Sequence, residues 1–295
     1  MTRAHIDDHD LGLQHDLEQI AALKRRRRVL GMMLSGSAAM LLSGCGGGDG
    51  SAATTASTDT TGSSGTGSTG SSGSDSCVAA AAETAGPYPS DGSNTINGSV
   101  SNVLAESGIV RSDIRSSFGT STTVAAGVPM SLTLTLLNSN NLCAPLAGYA
   151  IYLWHCTLDG AYSLYSSGVQ DENYLRGVQV ADASGQVTFQ SIFPGCYAGR
   201  YPHLHFEIYP SLAMATLYTN KLLTSQIALP RDICSTVYNG ASGYSASVRN
   251  LAAVTIANDN VFRDNTSAQI TAMTPSLSGS IAAGYTGAIP IGVPA

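Results

Sequence analysis

The stretch Phe193–Ile208, FPGCYAGRYPHLHFEI, governs the reading of the rest of the chain. Its second half, Leu204-His205-Phe206-Glu207-Ile208, alternates apolar and polar side chains, which predicts a strand. Residues two apart on a strand share a face, so His203 and His205 project together. Two neutral imidazoles from one strand are the beginning of a transition-metal site. Taken alone, an HxH pair is more often just two histidines on a solvated strand face. The same segment offers more, because Tyr197 and Arg200 sit in a turn opened by Pro194-Gly195.

Outward from this stretch the chain reads as β. Met130–Leu137 alternates Ser131, Thr133 and Thr135 against Leu132, Leu134 and Leu136, a half-buried strand. Further short strands are predicted at Ala150–Trp154, Val178–Ala181, Val187–Gln190 and Leu204–Ile208. Asp159-Gly160, Ser184-Gly185 and Pro194-Gly195 punctuate them as turns. The core region shows no long amphipathic helix. Short strands with frequent turns predict an all-β fold, a β-sandwich with long loops. The Ala, Ser, Gly and Thr rich sequence after Asn250 reads as loops or edge strands.

The first 44 residues predict export. Lys24-Arg25-Arg26-Arg27-Arg28 precedes a short apolar run, Val29–Gly44, in the manner of a secretory signal. Arg26-Arg27-Arg28-Val29-Leu30 resembles a twin-arginine signal, and Leu42-Ser43-Gly44-Cys45 resembles the lipobox of bacterial lipoproteins. The expectation is an extracytoplasmic protein anchored to the cell envelope by a lipid on Cys45. Residues 45–76 are small and polar after Cys45, cannot bury a core, and read as a flexible linker. The folded domain is expected over 77–295, with its core motifs at 143–226.

Beyond residue 44 the chain has 8 Lys+Arg against 15 Asp+Glu, and Lys221 is the single lysine. No basic patch is available, which excludes nucleic acid as a partner. Cys77, Cys143, Cys156, Cys196 and Cys234 match no zinc spacing. In an exported chain disulfides are the default, and an odd number leaves at least one thiol over.

Only His155, His203 and His205 follow the export signal, so further ligands must come from other residue types or from His155. Two tyrosines are carried on turns: Tyr162 follows Asp159-Gly160-Ala161, and Tyr197 follows Pro194-Gly195-Cys196.

These residues carry a resemblance. Ile151-Tyr152-Leu153-Trp154-His155-Cys156, Asp159-Gly160-Ala161-Tyr162-Ser163, Leu175-Arg176-Gly177-Val178-Gln179, Phe193-Pro194-Gly195-Cys196-Tyr197 and Arg200-Tyr201-Pro202-His203-Leu204-His205 succeed one another as in the intradiol ring-cleavage dioxygenases. The exported, single-chain bacterial branch, related to the catechol and protocatechuate dioxygenases, is the most similar. Glu83-Thr84-Ala85-Gly86-Pro87-Tyr88 resembles the family's N-terminal entry motif. The resemblance implies a β-sandwich holding a non-haem Fe(III) on Tyr162, Tyr197, His203 and His205. It implies an oxidoreductase that cleaves a catechol between its hydroxyl-bearing carbons with O2, giving a cis,cis-muconate-type diacid. By the same resemblance Arg200 stabilises charge on the substrate ring, Tyr197 takes up a substrate proton, and Gln226 supports the site. His155 is read as structural. The short connection Ala198–Pro202 departs from the longer loop of the cytoplasmic enzymes and leaves the substrate's identity open. Oligomeric state is also open, a homodimer included.

Two rival readings remain at this point. One is a non-catalytic surface lipoprotein of the same fold that binds a ligand or partner. The other is a copper or zinc site on His155, His203 and His205. They differ from the first in whether Tyr162 and Tyr197 touch the metal.

Overall fold

The computed structural model describes residues 77–295. The predicted signal and linker lie outside the described residues. The strands are β1 (Asp91–Ile96), β2 (Ser99–Asn102), β3 (Pro129–Asn138), β4 (Ala144–Pro145), β5 (Ala150–Trp154), β6 (Arg176–Val180), β7 (Gln186–Ile192), β8 (His203–Tyr209), β9 (Leu223–Ala228), β10 (Ser276–Ser280) and β11 (Gly284–Val293). Three short helices follow β9: α1 (Arg231–Gly240), α2 (Ser245–Ala253) and α3 (Ser267–Ala272).

Alternation in β3 places Met130, Leu132, Leu134 and Leu136 in the core, each essentially inaccessible to solvent. Full burial of each such side chain contributes about 1.5–3 kcal/mol. β3 lies at the centre of one sheet, ordered β10-β11-β3, with β7 and β4 both on its far edge. The second sheet runs β6-β5-β8-β9, all antiparallel. Its inner face brings Ile151, Leu153, Leu204, Phe206, Ile208 and Ile227 against β3, β7 and β11, which makes the expected sandwich.

The outer face of the second sheet is covered as well. Val103, Leu104 and Ile109 pack there on Ala150, Tyr152, Trp154, Val178 and Tyr209. Every residue of β5 and β8 is therefore buried. That double burial explains how a strand carrying His203, His205 and Glu207 is fully enclosed. The cross-strand register sets Arg176, Trp154, His205 and Gln226 in one row across this face.

The region after Asn250 is a correction. It is more than loops and edge strands: β11 pairs in parallel with β3 over Tyr285–Val293 and antiparallel with β10, so it is an interior strand. Its Gly-rich composition hid this, because Ile289, Ile291 and Val293 are the main apolar signal. Helices α1 and α2, ten and nine residues long, pack on the sandwich through Cys234, Val237, Tyr238 and Leu251. Of the five cysteines, Cys77 and Cys143 form a disulfide, while Cys156, Cys196 and Cys234 are buried free thiols. The bridge ties the start of the domain to the turn after β3 across a separation of 66 residues, a constraint on the unfolded chain worth about 4 kcal/mol.

Candidate metal centre

His203 and His205 leave β8 on its outer face, and both tyrosines reach them from turns. In the first turn Gly160 and Ala161 donate their amides to the carbonyl and Oγ1 of Thr157, at 3.1 and 2.9 Å, and Tyr162 donates its amide to Ser166 Oγ at 2.8 Å. In the second, Gly195 donates to the same Thr157 carbonyl at 2.9 Å. The turns touch at Gly160, whose φ of +93° favours glycine and where a Cβ would stand 2.9 Å from Tyr197 Cβ. Tyr162 is buried. Tyr197 is half-buried and followed by exposed Ala198 and Gly199, so the site meets solvent there.

The four side chains close a ring. Tyr162 neighbours Tyr197 and His205 with ring centroids 5.9 and 6.2 Å away; Tyr197 lies 5.6 Å from His203, and His203 4.7 Å from His205. His203 Nδ1 donates to the Tyr201 carbonyl at 2.6 Å. A carbonyl only accepts, so the neutral ring keeps its lone pair on Nε2. Tyr197 Oη reaches that lone pair at 3.2 Å and His205 Nε2 at 3.0 Å. Three donor atoms thus crowd around one point. The Tyr162 hydroxyl is close enough to Tyr197 to be perturbed by it but closes no hydrogen bond of regular geometry, and His205 Nδ1 is likewise buried without one.

Burial, followed by the charge of Arg200, holds His203 well below the ordinary imidazole range. Burial, then His203 and Arg200, does the same to His205. Both are neutral and able to ligate. Burial raises the Tyr162 phenol well above its usual value, with Tyr197 adding to the effect.

These residues fit a metal ion. Donor atoms held at about 2.1 Å on one ion and roughly at right angles lie about 3 Å apart, the spacing of the two Nε2 atoms and Tyr197 Oη. Among the described residues no three His, Cys, Asp or Glu side chains gather to hold a metal, so an ion here needs the phenol oxygens. Two phenolates are hard anionic donors, suited to a trivalent cation strong enough to displace their protons.

His155 does not join the set. Its Nδ1 donates to the Cys156 carbonyl at 2.8 Å, and its Nε2 accepts from Ser191 Oγ at 2.6 Å. Both nitrogens are used, and the three-histidine copper or zinc site lacks its third ligand.

Arg200 is 1% exposed. Nε donates to Asp259 Oδ2 at 3.1 Å and Nη2 to Gln226 Oε1 at 2.6 Å, while Gln226 Nε2 donates to the Thr84 carbonyl at 2.9 Å. Gln226 thus joins Arg200 to the entry motif, and Tyr88 of that motif lies 4.9 Å from the Tyr162 ring. Arg200, which the resemblance makes a stabiliser of charge on the substrate ring, is also half of a buried ion pair. Asp259 also accepts the amides of Tyr201, Val261 and Phe262 at 2.7, 2.8 and 3.0 Å. Sequence reasoning missed Asp259, which stands 59 residues from Arg200 in a segment without periodicity. The need of a buried arginine for a carboxylate was the available signal. Trp154 stacks on His205 at 4.9 Å and 7°, which fixes the imidazole plane. Cys196, beside Tyr197, forms no disulfide. Its thiol lies 3.5 Å from the Arg200 carbonyl, and burial pushes it up to about 12.

A dioxygenase family model matches residues 115–261, and the chain belongs to the intradiol ring-cleavage dioxygenases. Over 112 residues it is 30% identical to the chlorocatechol 1,2-dioxygenase of Rhodococcus opacus, a match covering 32% of this chain and 43% of that enzyme. The chain therefore matches less than half the length of this relative. An intradiol ring-cleavage dioxygenase from Tetranychus urticae superposes with a TM-score of 0.55 at 22% identity, over 74% of this chain and 96% of that one. A second dioxygenase structure gives 0.53 at 23%, over 74% and 95%. At these identities the two structures establish the shared fold.

Proposed function

We propose that the protein is a non-haem Fe(III) intradiol dioxygenase that opens a catechol-type ring between its hydroxyl-bearing carbons with O2, giving a cis,cis-muconate-type diacid. The observation that carries the reading is the convergence of His203 Nε2, His205 Nε2 and Tyr197 Oη within 3.0–3.2 Å contacts, with the buried Tyr162 completing the ring. Ferric iron bound there would act as a Lewis acid on the two catechol oxygens and draw on the ring's electrons so that the ring meets O2.

The chain's own residues do the rest. His203 and His205 supply neutral donors whose orientation is fixed by the Tyr201 carbonyl and by Trp154. Tyr162 is enclosed and stays in place. Tyr197, half-buried at the solvent-facing turn, would be one of the residues holding the ion, and its Oη is positioned to take a substrate hydroxyl proton, a general-base role. Arg200 cannot swing: Asp259 and Gln226 hold two of its three nitrogens, so its positive charge is preorganised beside the histidines.

Export with a lipid on Cys45 belongs to the same proposal. The Cys77–Cys143 disulfide supports an oxidising compartment. Among the described residues no helix is long and apolar enough to cross a membrane.

The test is a visible spectrum of the ferric-loaded protein before and after anaerobic catechol. A tyrosinate-to-iron charge-transfer band that shifts with catechol, followed by oxygen uptake and a ring-opened diacid on admitting air, is the expected result. A protein that binds no ferric iron, or stays colourless with it, overturns the reading.

A further inference from the structure

Arg176, the first residue of β6, is 1% exposed, and no carboxylate among the described residues pairs with it. Its hydrogen bonds go to neutral oxygens alone. Nε donates to Ser163 Oγ and Nη2 to the Ser163 carbonyl, both at 3.0 Å. Nη1 donates to the Pro89 carbonyl at 3.1 Å and to the Tyr152 hydroxyl at 3.0 Å. The Tyr165 ring lies 5.5 Å from the guanidinium carbon. Burying a full charge without a counterion is expensive, so the arrangement must fix something that a neutral side chain would not.

What it fixes is next to Tyr162. The turn bearing Tyr162 has no regular secondary structure, and the Tyr162 hydroxyl closes no regular hydrogen bond. Its ring direction depends on the backbone around it. Ser163 is gripped at both its hydroxyl and its carbonyl by the planar guanidinium fork, and its hydroxyl passes a hydrogen bond on to the Tyr174 carbonyl at 2.8 Å. The third nitrogen of the fork ties the same assembly to β5 and to Pro89, one residue past the Tyr88 that packs on Tyr162. We propose that Arg176 is the positioning residue for Tyr162: by clamping Ser163, Pro89 and Tyr152 to the edge of β6 it sets the phenol oxygen toward His205 and Tyr197. This rests on the reading that Tyr162 is a metal ligand.

A lysine at 176 keeps the charge but cannot present a fork, and an alanine at 163 removes the hydroxyl while leaving the carbonyl. The experiment compares ferric-loaded wild type, Arg176→Lys, Ser163→Ala and Tyr162→Phe by visible absorption and by the rate at which a ferric chelator strips the iron. Melting of the iron-free proteins reports folding. Tyr162→Phe is expected to lose part of the charge-transfer band. Arg176→Lys is expected to shift the band and release iron at least about tenfold faster, the scale of losses seen when outer partners of metal ligands are removed. Ser163→Ala is expected to move both readouts the same way by less and to melt lower while still folding, because the buried Arg176 Nε and the Tyr174 carbonyl each lose a partner. Should Arg176→Lys not fold, Ser163→Ala decides alone. Wild-type band and release rate in the folded variants, with the band diminished in Tyr162→Phe, overturn the role of Arg176 and leave the metal reading standing. An unchanged band in Tyr162→Phe overturns the ligand assignment itself and this proposal with it.

Discussion

At His203 a single carbonyl sets the chemistry of the imidazole: with Nδ1 bound to the Tyr201 oxygen, the lone pair on Nε2 faces Tyr197 and His205. Tyr201 is held in turn by its amide on Asp259, so the carboxylate that steadies Arg200 also steadies the backbone that orients His203. On the other side of the pair, Trp154 lies flat on His205, and it is the only tryptophan in the chain. Indole emission is therefore a one-site reporter of the metal. Titrating the iron-free protein with ferric iron is expected to quench that emission strongly and to break at one equivalent. Iron binding with undiminished emission would place the ion away from His205. The candidate ligands were legible because residue type and spacing carry them: HxH on one strand face, and tyrosines after Asp-Gly and Pro-Gly turns. Asp259 and the hub at Arg176 were not, since buried ion pairs and charge held by neutral oxygens join segments far apart in sequence and leave no local pattern.

Among the elements, the two turns decide more than the strands. β5 and β8 can deliver only the imidazoles and the stacked indole; the phenols depend on the contact between Gly160 and Tyr197. Gly160→Ala would introduce both an L residue at φ +93° and a Cβ at 2.9 Å from Tyr197 Cβ. Gly168 is the control, with φ +85° and nothing within 4 Å of a new Cβ. The backbone penalty alone is about 1–2 kcal/mol for either substitution. Gly160→Ala is expected to lose at least about 1 kcal/mol beyond Gly168→Ala, a further fall of roughly 2–4 °C in melting temperature, and to shift the charge-transfer band as well. Equal losses with an unshifted band would mean that the turns do not depend on that contact. The strands themselves were largely readable, β3 above all, where Ser and Thr alternate with Leu. β11 was not, because a strand rich in Gly, Ala and Pro, with Ile289, Ile291 and Val293 as its branched aliphatic residues, resembles a loop until it lies between β3 and β10. Its pairing partner is distant in sequence, and that pairing, not local propensity, makes it a strand.

For the whole molecule, burial on both faces of the β6-β5-β8-β9 sheet is what permits the site and also what limits it. Enclosing that sheet forces three imidazoles to stay neutral: His155, pushed down to about 4 by burial, and His203 and His205, held well below the usual range. The consequence for stability has a definite sign. In the unfolded chain a histidine takes up its proton near pH 6.5, whereas folded His155 resists until about 4, so across that window the unfolded state binds more protons. Stability is thus complete above pH 6.5 and falls as the pH drops toward 4, with His155 alone accounting for about 3 kcal/mol. His203 and His205 act in the same direction in the iron-free protein. Urea midpoints of that protein, measured in steps from pH 7 to 4.5, are expected to fall steadily. His155→Gln, which retains a polar partner for Ser191, is expected to flatten the slope without abolishing it, because the other two imidazoles still resist protonation. Parallel slopes for wild type and variant would show that His155 takes up its proton in the fold as readily as it does in water, and that the sheet is less completely enclosed than its geometry requires.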